Sequence, residues 1–427
     1  MLKSKKKIYK NKLRNKLEKK KISSKDNTNN KMVNQAVILC GGLGTRLGAI
    51  TKKIPKPLIK IGNKSFLDIL IDRLVQKKIN KILLLCSYKS NHFFKKYHNK
   101  KINGKIKISC IDEKKPLGTG GALVNALNKL DDYFYLLNGD TYFDGDLLQL
   151  QEDFDRKKFD IILSTKKLLN DRYGELKIKS NRVLSFQKNK KKVFSNINLG
   201  TYIIKKKILN KYKKQKFSLE SVILPELASK QRLQCSFFQK NFFLDIGVRK
   251  DLKKAKLLLP KIKYPTVFFD RDGVINRDLG YVSNVNNFHF TKGIFEIIKY
   301  FNRNSYHVFI VTNQSGIGRG YYTERKMLKL HDWMQNEFKK NNIRIDEIFH
   351  SPYYKYSKNY SSRFYFNLRK PNIGMFKLAT KRWNIDKKNL LMIGDKKVDF
   401  EFGRKIKAKT IIVKENLNIY KQVKSLL

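Results

Sequence analysis

Two α/β domains in tandem are the fold this sequence predicts, and three observations predict it. Short apolar runs end repeatedly in glycine or aspartate: AVILC before Gly41, YFYLLN before Gly139-Asp140, and VFF before Asp270. Runs of that length read as strands buried on both faces, with ligand-binding residues at their carboxyl ends. Two such constellations lie about 230 residues apart, each able to found a Rossmann-like unit. Finally, 427 residues suit two or three domains, and Pro260 and Pro265 mark a seam. The expected division is a basic flexible extension over 1–33, a first domain over 34–260 and a second over 264–427.

Composition narrows the class. Apolar residues make up 41% and aromatics 12%, which excludes global disorder. No stretch approaches the 18 to 20 apolar residues of a membrane span, and the N-terminus lacks the apolar core of a secretory signal. Cys40, Cys86, Cys110 and Cys235 are scattered without a CxxC, as in a reducing cytoplasm. The formal net charge is +59, yet only 18 of the 94 basic residues are arginine and the lysines are spread throughout. No recognition helix, cysteine finger or RNP-like motif accompanies them, so no specific nucleic-acid surface is expected. The field should still draw small phosphorylated substrates into clefts. Within 1–33, Leu13, Leu17 and Ile22 recur at loose helical spacing, but the apolar face is thin.

The first constellation reads GGLGTRLG after its strand, with Gly41, Gly42, Gly44, Thr45 and Arg46 in one loop. Glycines let backbone N–H groups approach a phosphate, and arginine adds a fork of donors. The pattern matches neither GxGxxG nor GxxxxGK[ST]. Then Lys56 stands between Pro55 and Pro57, a stiffly held cation suited to charge building on a phosphoryl group. PLGTGGAL, with Gly118, is a second glycine turn, expected to meet a base or ribose just before a helix. Asp140 and Asp245 each close an apolar run, where two carboxylates can clamp one Mg²⁺ across a triphosphate.

These segments resemble the sugar-phosphate nucleotidyltransferase family over roughly residues 34–255. GGLGTRLG with PKPL is similar to its signature, PLGTGGAL to its second glycine segment, and NGD and LDIG to its metal-binding ends. The resemblance implies a mixed sheet, with Arg46 and Lys56 holding a nucleoside triphosphate, GTP favoured. It implies Mg²⁺ on Asp140 and Asp245, and a sugar phosphate held by Lys188 and Asn198. The family's Glu-Lys pair reads Gln187-Lys188 here. The form lacking an appended β-helix is most similar to enzymes activating mannose- or heptose-type 1-phosphates.

The second constellation pairs Asp270 with Asp272, with Gly273 bending the chain after them. Like charges this close repel unless a metal or proton intervenes, which suits a nucleophile beside an acid/base. A further apolar strand ends in Thr312 and Asn313, ahead of Gln314, Ser315 and a glycine loop. Lys370 precedes a proline, and a third strand ends at Asp395 with Asp399 one helical turn on.

The motifs DRDG, TNQSG, RKP and GDKKVD resemble the haloacid-dehalogenase-type phosphatases over roughly 264–414, in particular those acting on heptose 1,7-bisphosphate. The resemblance implies Asp270 as nucleophile and Asp272 as acid/base, with Lys370 also catalytic. It assigns Mg²⁺ to Asp270, Asp272, Asp395 and Asp399, and substrate contacts to Asp278–Tyr281, Thr312–Ser315, Arg369, Lys370 and Lys396. Histidinol phosphatases share the scaffold, and nucleic-acid 3′-phosphatases share the DxDG unit. Where the heptose pattern has Cys-x-His and Cys-x-Cys for zinc, this chain has Ser351, Tyr353, Phe366 and Leu368, so no zinc is expected. Together the halves imply sequential steps on one phosphorylated sugar, heptose or a hexose such as mannose.

Overall fold

The computed structural model describes residues 32–77, 79–102, 106–187 and 192–427. Most of the 1–33 segment therefore lies outside the described residues, as does Lys188. Val33, assigned above to the extension, is already 4% exposed in the first core, its N–H donating to Gln151 Oε1 at 2.8 Å. Among the described residues, no helix is long and apolar enough to cross a membrane.

Among the described residues the first sheet has ten strands, and Gln35–Leu39 runs parallel to its two neighbours, Lys81–Cys86 and Tyr133–Asn138. Both faces are covered: Val37 packs with Leu83, Leu123 and Phe134, while Ala36 and Ile38 pack with Leu67 and Ile71. That two-sided burial is why these strands carry unbroken apolar runs. Beyond Tyr133–Asn138 the sheet turns antiparallel through Val193–Lys205, so it is mixed. The second sheet has five parallel strands in the order Glu347–Ser351, His307–Asn313, Tyr264–Phe269, Ile385–Gly394, Lys409–Ile412. Helices cover each face, Ile294–Arg303 and Glu324–Lys340 over Val267 and Phe269, Gly374–Arg382 and Lys397–Lys405 over Phe268.

In both sheets the earliest strand lies inside, and the chain leaves it toward opposite edges. Such a switch point opens a crevice at the strands' carboxyl ends. The loop after Leu39 and the aspartate after Phe269 occupy these two crevices.

The two domains share a buried ionic interface. Asp146 Oδ1 pairs with Arg344 Nη1 at 3.2 Å and Lys77 Nζ at 3.4 Å, and Arg344 Nε donates to Asp346 Oδ1 at 2.7 Å. All four side chains are largely or wholly buried. Burial, then the Arg344 charge, lowers Lys77 to about 8. Burial works against Asp346's charge, but Arg344 and His307 outweigh it and hold the carboxyl below its ordinary range. Around this centre, Glu152 meets Lys299 at 2.5 Å and Arg303 at 2.6 Å, and the Tyr142 and Tyr264 hydroxyls meet at 2.6 Å. Replacing Asp146 by Asn strips a counter-charge from two buried cations, an operation that costs about 3 kcal/mol or more. Chemical denaturation of Asp146→Asn should show that loss, and an unchanged midpoint would contradict the interface described.

Candidate active sites

In the first crevice Lys56 is 5% exposed and its Nζ lies 2.5 Å from Asp140 Oδ2. Pro55 and Pro57 hold it in a short 3₁₀ turn, Lys56–Leu58. Asp245 is joined to Asp140 through the backbone: Ile246 N–H donates to the Asp140 carbonyl at 2.9 Å, and Asp245 pairs with Thr141 in a two-stranded ribbon. Arg172, missed by the sequence reading, pairs with Asp245 at 2.6 Å and also with Asp251. The Arg46 guanidinium lies beside Gly247, so a Cβ there would sit 3.1 Å from Nη2. Lys56 and Asp140 line a cavity of about 180 Å³ together with Gly42 and Asn138, whereas Asp245, Arg172 and Arg46 lie outside its lining. Both acids are already balanced by cations, so a divalent ion there would have to share or displace Lys56 and Arg172.

Not every glycine serves this cavity. Gly42 faces open space, whereas Gly41 gives room to the buried carboxylate of Glu113, and Gly44 supplies a left-handed turn at φ 64° ahead of Thr45. The second glycine segment departs from expectation. Its helix spans Gly118–Asn125, starting within the glycines, and a Cβ on Gly118 would lie 2.5 Å from the Phe217 carbonyl oxygen. Gly118 accommodates the protein's own chain, and a local reading cannot see a partner so distant in sequence. Asn198 is likewise engaged internally, its Nδ2 donating to the Tyr202 hydroxyl at 2.6 Å and its Oδ1 accepting from Gly200 N–H at 3.0 Å.

The second crevice is the more tightly built. Lys370, 2% exposed, places Nζ 2.8 Å from Asp270 Oδ1 and 2.5 Å from Asp399 Oδ1. Asp270, Asp395 and Asp399 bring carboxylate oxygens within 4.8 Å of one another. Asp395 Oδ1 is buried without a hydrogen-bond partner among the described residues. Gly273 leaves the space in front of this group, since a Cβ there would be 2.2 Å from Asp395 Oδ2. Burial, then the Asp399 charge, raises Asp270 despite Lys370, and burial with Asp399 raises Asp395 to about 6. Three carboxylates crowded together in a buried site, one with an orphaned oxygen, are what a divalent cation relieves. The cluster can hold such an ion.

Asp272, expected above as a metal-binding carboxylate, lies outside that cluster. Arg271 grips both its oxygens at 2.8 and 2.9 Å, and Gln314 Nε2 and Asn276 Nδ2 donate at 2.9 and 3.0 Å. Arg271 is wholly buried and is itself braced by the Val282 carbonyl and by His331. Burial and the Arg271 charge push His331 well below its ordinary pKa, leaving a neutral ring that can accept from the guanidinium. Neither Arg271 nor His331 was legible as a site residue.

Asp270, Asp272 and Lys370 open on a cavity of about 360 Å³ that Thr312, Asn313, Arg369, Lys396, Gly280 and Tyr281 also line. Lys396 pairs with Asp278 at 2.6 Å across its mouth. Gln314 turns inward to Asp272, Thr312 and Tyr322, and Ser315 begins a short helix outside the lining. A larger cavity of about 460 Å³ lies between the domains but contains none of the strand-end aspartates, so the chemistry points elsewhere. At the zinc positions of the heptose pattern, Ser351 Oγ donates to the Tyr365 carbonyl at 3.0 Å, and Tyr353 packs edge-on to Phe366 at 5.2 Å. Aromatic contacts tie this loop together.

Comparisons with known proteins agree with both crevices. The nucleotidyl transferase family model matches residues 35–261, and a HAD-hydrolase-like model matches 367–423. A D-glycero-alpha-D-manno-heptose 1-phosphate guanylyltransferase of Campylobacter jejuni is 39% identical over 220 residues, 51% of this chain and 96% of that protein. The corresponding enzyme of Aneurinibacillus thermoaerophilus is 34% identical over 229 residues, 52% of this chain and 96% of its own length. A D-glycero-alpha-D-manno-heptose-1,7-bisphosphate 7-phosphatase, also of C. jejuni, is 40% identical over 169 residues, 39% of this chain and 93% of that protein. A strand-end cleft built from GGLGTRLG, Lys56 and Asp140, followed by a carboxylate cluster around Asp270, therefore has a plain reading: the chain belongs to the nucleotidyl transferase family and carries a HAD-like phosphatase domain behind it.

Proposed function

We propose that this chain is a cytoplasmic bifunctional enzyme that removes the 7-phosphate of D-glycero-α-D-manno-heptose 1,7-bisphosphate and then transfers GMP from GTP to the remaining 1-phosphate. The observation that carries this reading is the near full-length match of its two consecutive halves to two separate enzymes with those activities. The division at 34–260 and 264–427 is part of this proposal and is supported by the same two matches. The α anomer is favoured because the guanylyltransferase relatives act on it, whereas phosphatases of both anomers are similar to the second half.

In the phosphatase, an Asp270 oxygen attacks the 7-phosphorus and the heptose oxygen leaves, taking a proton from Asp272. Asp272, gripped by Arg271 and Gln314, then accepts a proton from the water that cleaves the aspartyl-phosphate. Lys370 keeps Asp270 in line and faces the transferring phosphoryl group, and Thr312, Asn313, Arg369 and Lys396 receive the substrate. Mg²⁺ on Asp270, Asp395 and Asp399 would supply charge neutralisation there, as it would beside Asp140 and Asp245 in the transferase. In the transferase, the sugar phosphate oxygen attacks the α-phosphorus of GTP and pyrophosphate departs. No strong base is needed because the attacking phosphate is already ionised, so Arg46 and Lys56 act by positioning and charge.

The direct test supplies heptose 1,7-bisphosphate with GTP, CTP, UTP or dTTP in Mg²⁺ and follows phosphate, pyrophosphate and nucleotide-sugar. Phosphate release followed by GDP-heptose is expected; a different sugar phosphate or nucleotide used preferentially would overturn the assignment. Chelation should abolish both activities and Mg²⁺ restore them, while elemental analysis of purified protein should find no stoichiometric zinc. A stoichiometric zinc would overturn the aromatic reading of the loop at Ser351, Tyr353, Phe366 and Leu368.

A further inference from the structure

The transferase cleft contains a carboxylate that none of the motifs above accounts for. Glu220 lies in a π-helical turn, Leu219–Ile223, and lines the cavity shared by Lys56, Asn138 and Asp140. Its Oε2 accepts from Thr119 Oγ1 at 2.6 Å and from Ser218 Oγ at 2.8 Å. These bonds fix the side chain between the second glycine segment and the 215–218 loop that packs against it. The other oxygen, Oε1, takes no hydrogen bond from the described residues. A fixed acid with a free acceptor is repelled by a polyphosphate and suits an uncharged, hydrogen-bond-donating part of a substrate. Tyr202 indicates which one. Glu220 lies near enough for its charge to help raise that phenol, after burial, and the same hydroxyl takes the Asn198 amide. Glu220 therefore stands on the side of the cleft where the Val193–Lys205 strand runs.

The geometry points to Glu220 as the residue that reads a hydroxyl of the sugar 1-phosphate, accepting a hydrogen bond from it through Oε1 while Oε2 stays tethered to Thr119 and Ser218. This rests on the guanylyltransferase reading and names the specificity contact within it. Glu220 acts on recognition, since it is placed to touch the sugar ring and not the reacting phosphates.

Glu220→Gln separates the two functions of the carboxylate. The amide oxygen can still accept from Thr119 and Ser218, but the free position becomes an N–H₂ donor. Losing a hydrogen bond to a charged acceptor should raise KM for the sugar 1-phosphate about ten- to a hundredfold. KM for GTP should stay within about twofold, because the nucleotide makes no use of the group. Tm should match wild type. Deoxy analogues of the sugar 1-phosphate complete the test: removing the hydroxyl that Glu220 reads should penalise wild type and not Glu220→Gln. A rise in KM for GTP instead would place Glu220 on the nucleoside and overturn the proposal, as would unchanged constants for both substrates. A fall in Tm with both constants shifted alike would show a purely structural tether, also overturning it. If wild type released no pyrophosphate from GTP with any sugar 1-phosphate, the guanylyltransferase reading itself would fall, a result distinct from a silent variant of an active enzyme.

Discussion

Asp270→Asn should eliminate phosphate release from heptose 1,7-bisphosphate while pyrophosphate release from GTP and heptose 1-phosphate continues. The substitution keeps the shape of the side chain and replaces the attacking carboxylate by an amide that cannot form the covalent intermediate. Removing a nucleophile of this kind costs on the order of 10³-fold or more in kcat. It also removes one of three acids around Lys370, whose Nζ keeps its 2.5 Å contact with Asp399 in the native chain, so the buried lysine retains a counter-charge. The protein should therefore stay folded, which its thermal transition will report. Loss of nucleotidyl transfer to the same degree in a folded variant would mean that the two crevices are not independent sites.

The reverse pattern is expected from Lys56→Ala. Here the cation 2.5 Å from Asp140 disappears from the transferase cleft, and electrostatic groups of this type contribute about 3–4 kcal/mol to a transition state, or roughly a hundred- to a thousandfold. Phosphatase activity should be untouched, because the Lys370 cluster lies in the other sheet. Asp140 is one-third exposed, so water can take the place of the lost partner and the fold should tolerate the change. A variant with normal kcat and normal KM for GTP would remove Lys56 from the reaction.

What could be read without coordinates follows from how local each signal is. A buried parallel strand ending in Asp or Gly announces itself within ten residues, and so both sheets were legible, as was the place of Asp140, Asp270 and Asp395 at strand ends. Residues whose meaning depends on distant partners were not. Arg172 becomes informative only when Asp245 lies against it, and Glu220 only when Thr119 reaches it. Gly118 looked like a ligand turn because nothing nearby in sequence shows that Phe217 occupies the space. Nor does motif spacing say that Arg271 folds back upon its neighbour Asp272.

The ionic contact joining Asp146 and Lys77 to Arg344 and Asp346 bears on how this polypeptide can be divided. Cutting the chain at the proline seam would leave each piece presenting, as bare surface, a charged patch shaped for the other. The first piece would expose Asp146 beside Lys77, and the second would expose Arg344, Asp346 and the Tyr264 ring. Two freestanding enzymes made from this gene would need those positions resurfaced with well-hydrated side chains. Co-expressed fragments left unaltered would instead have reason to find each other, making the seam a ready point for a split-protein complementation design.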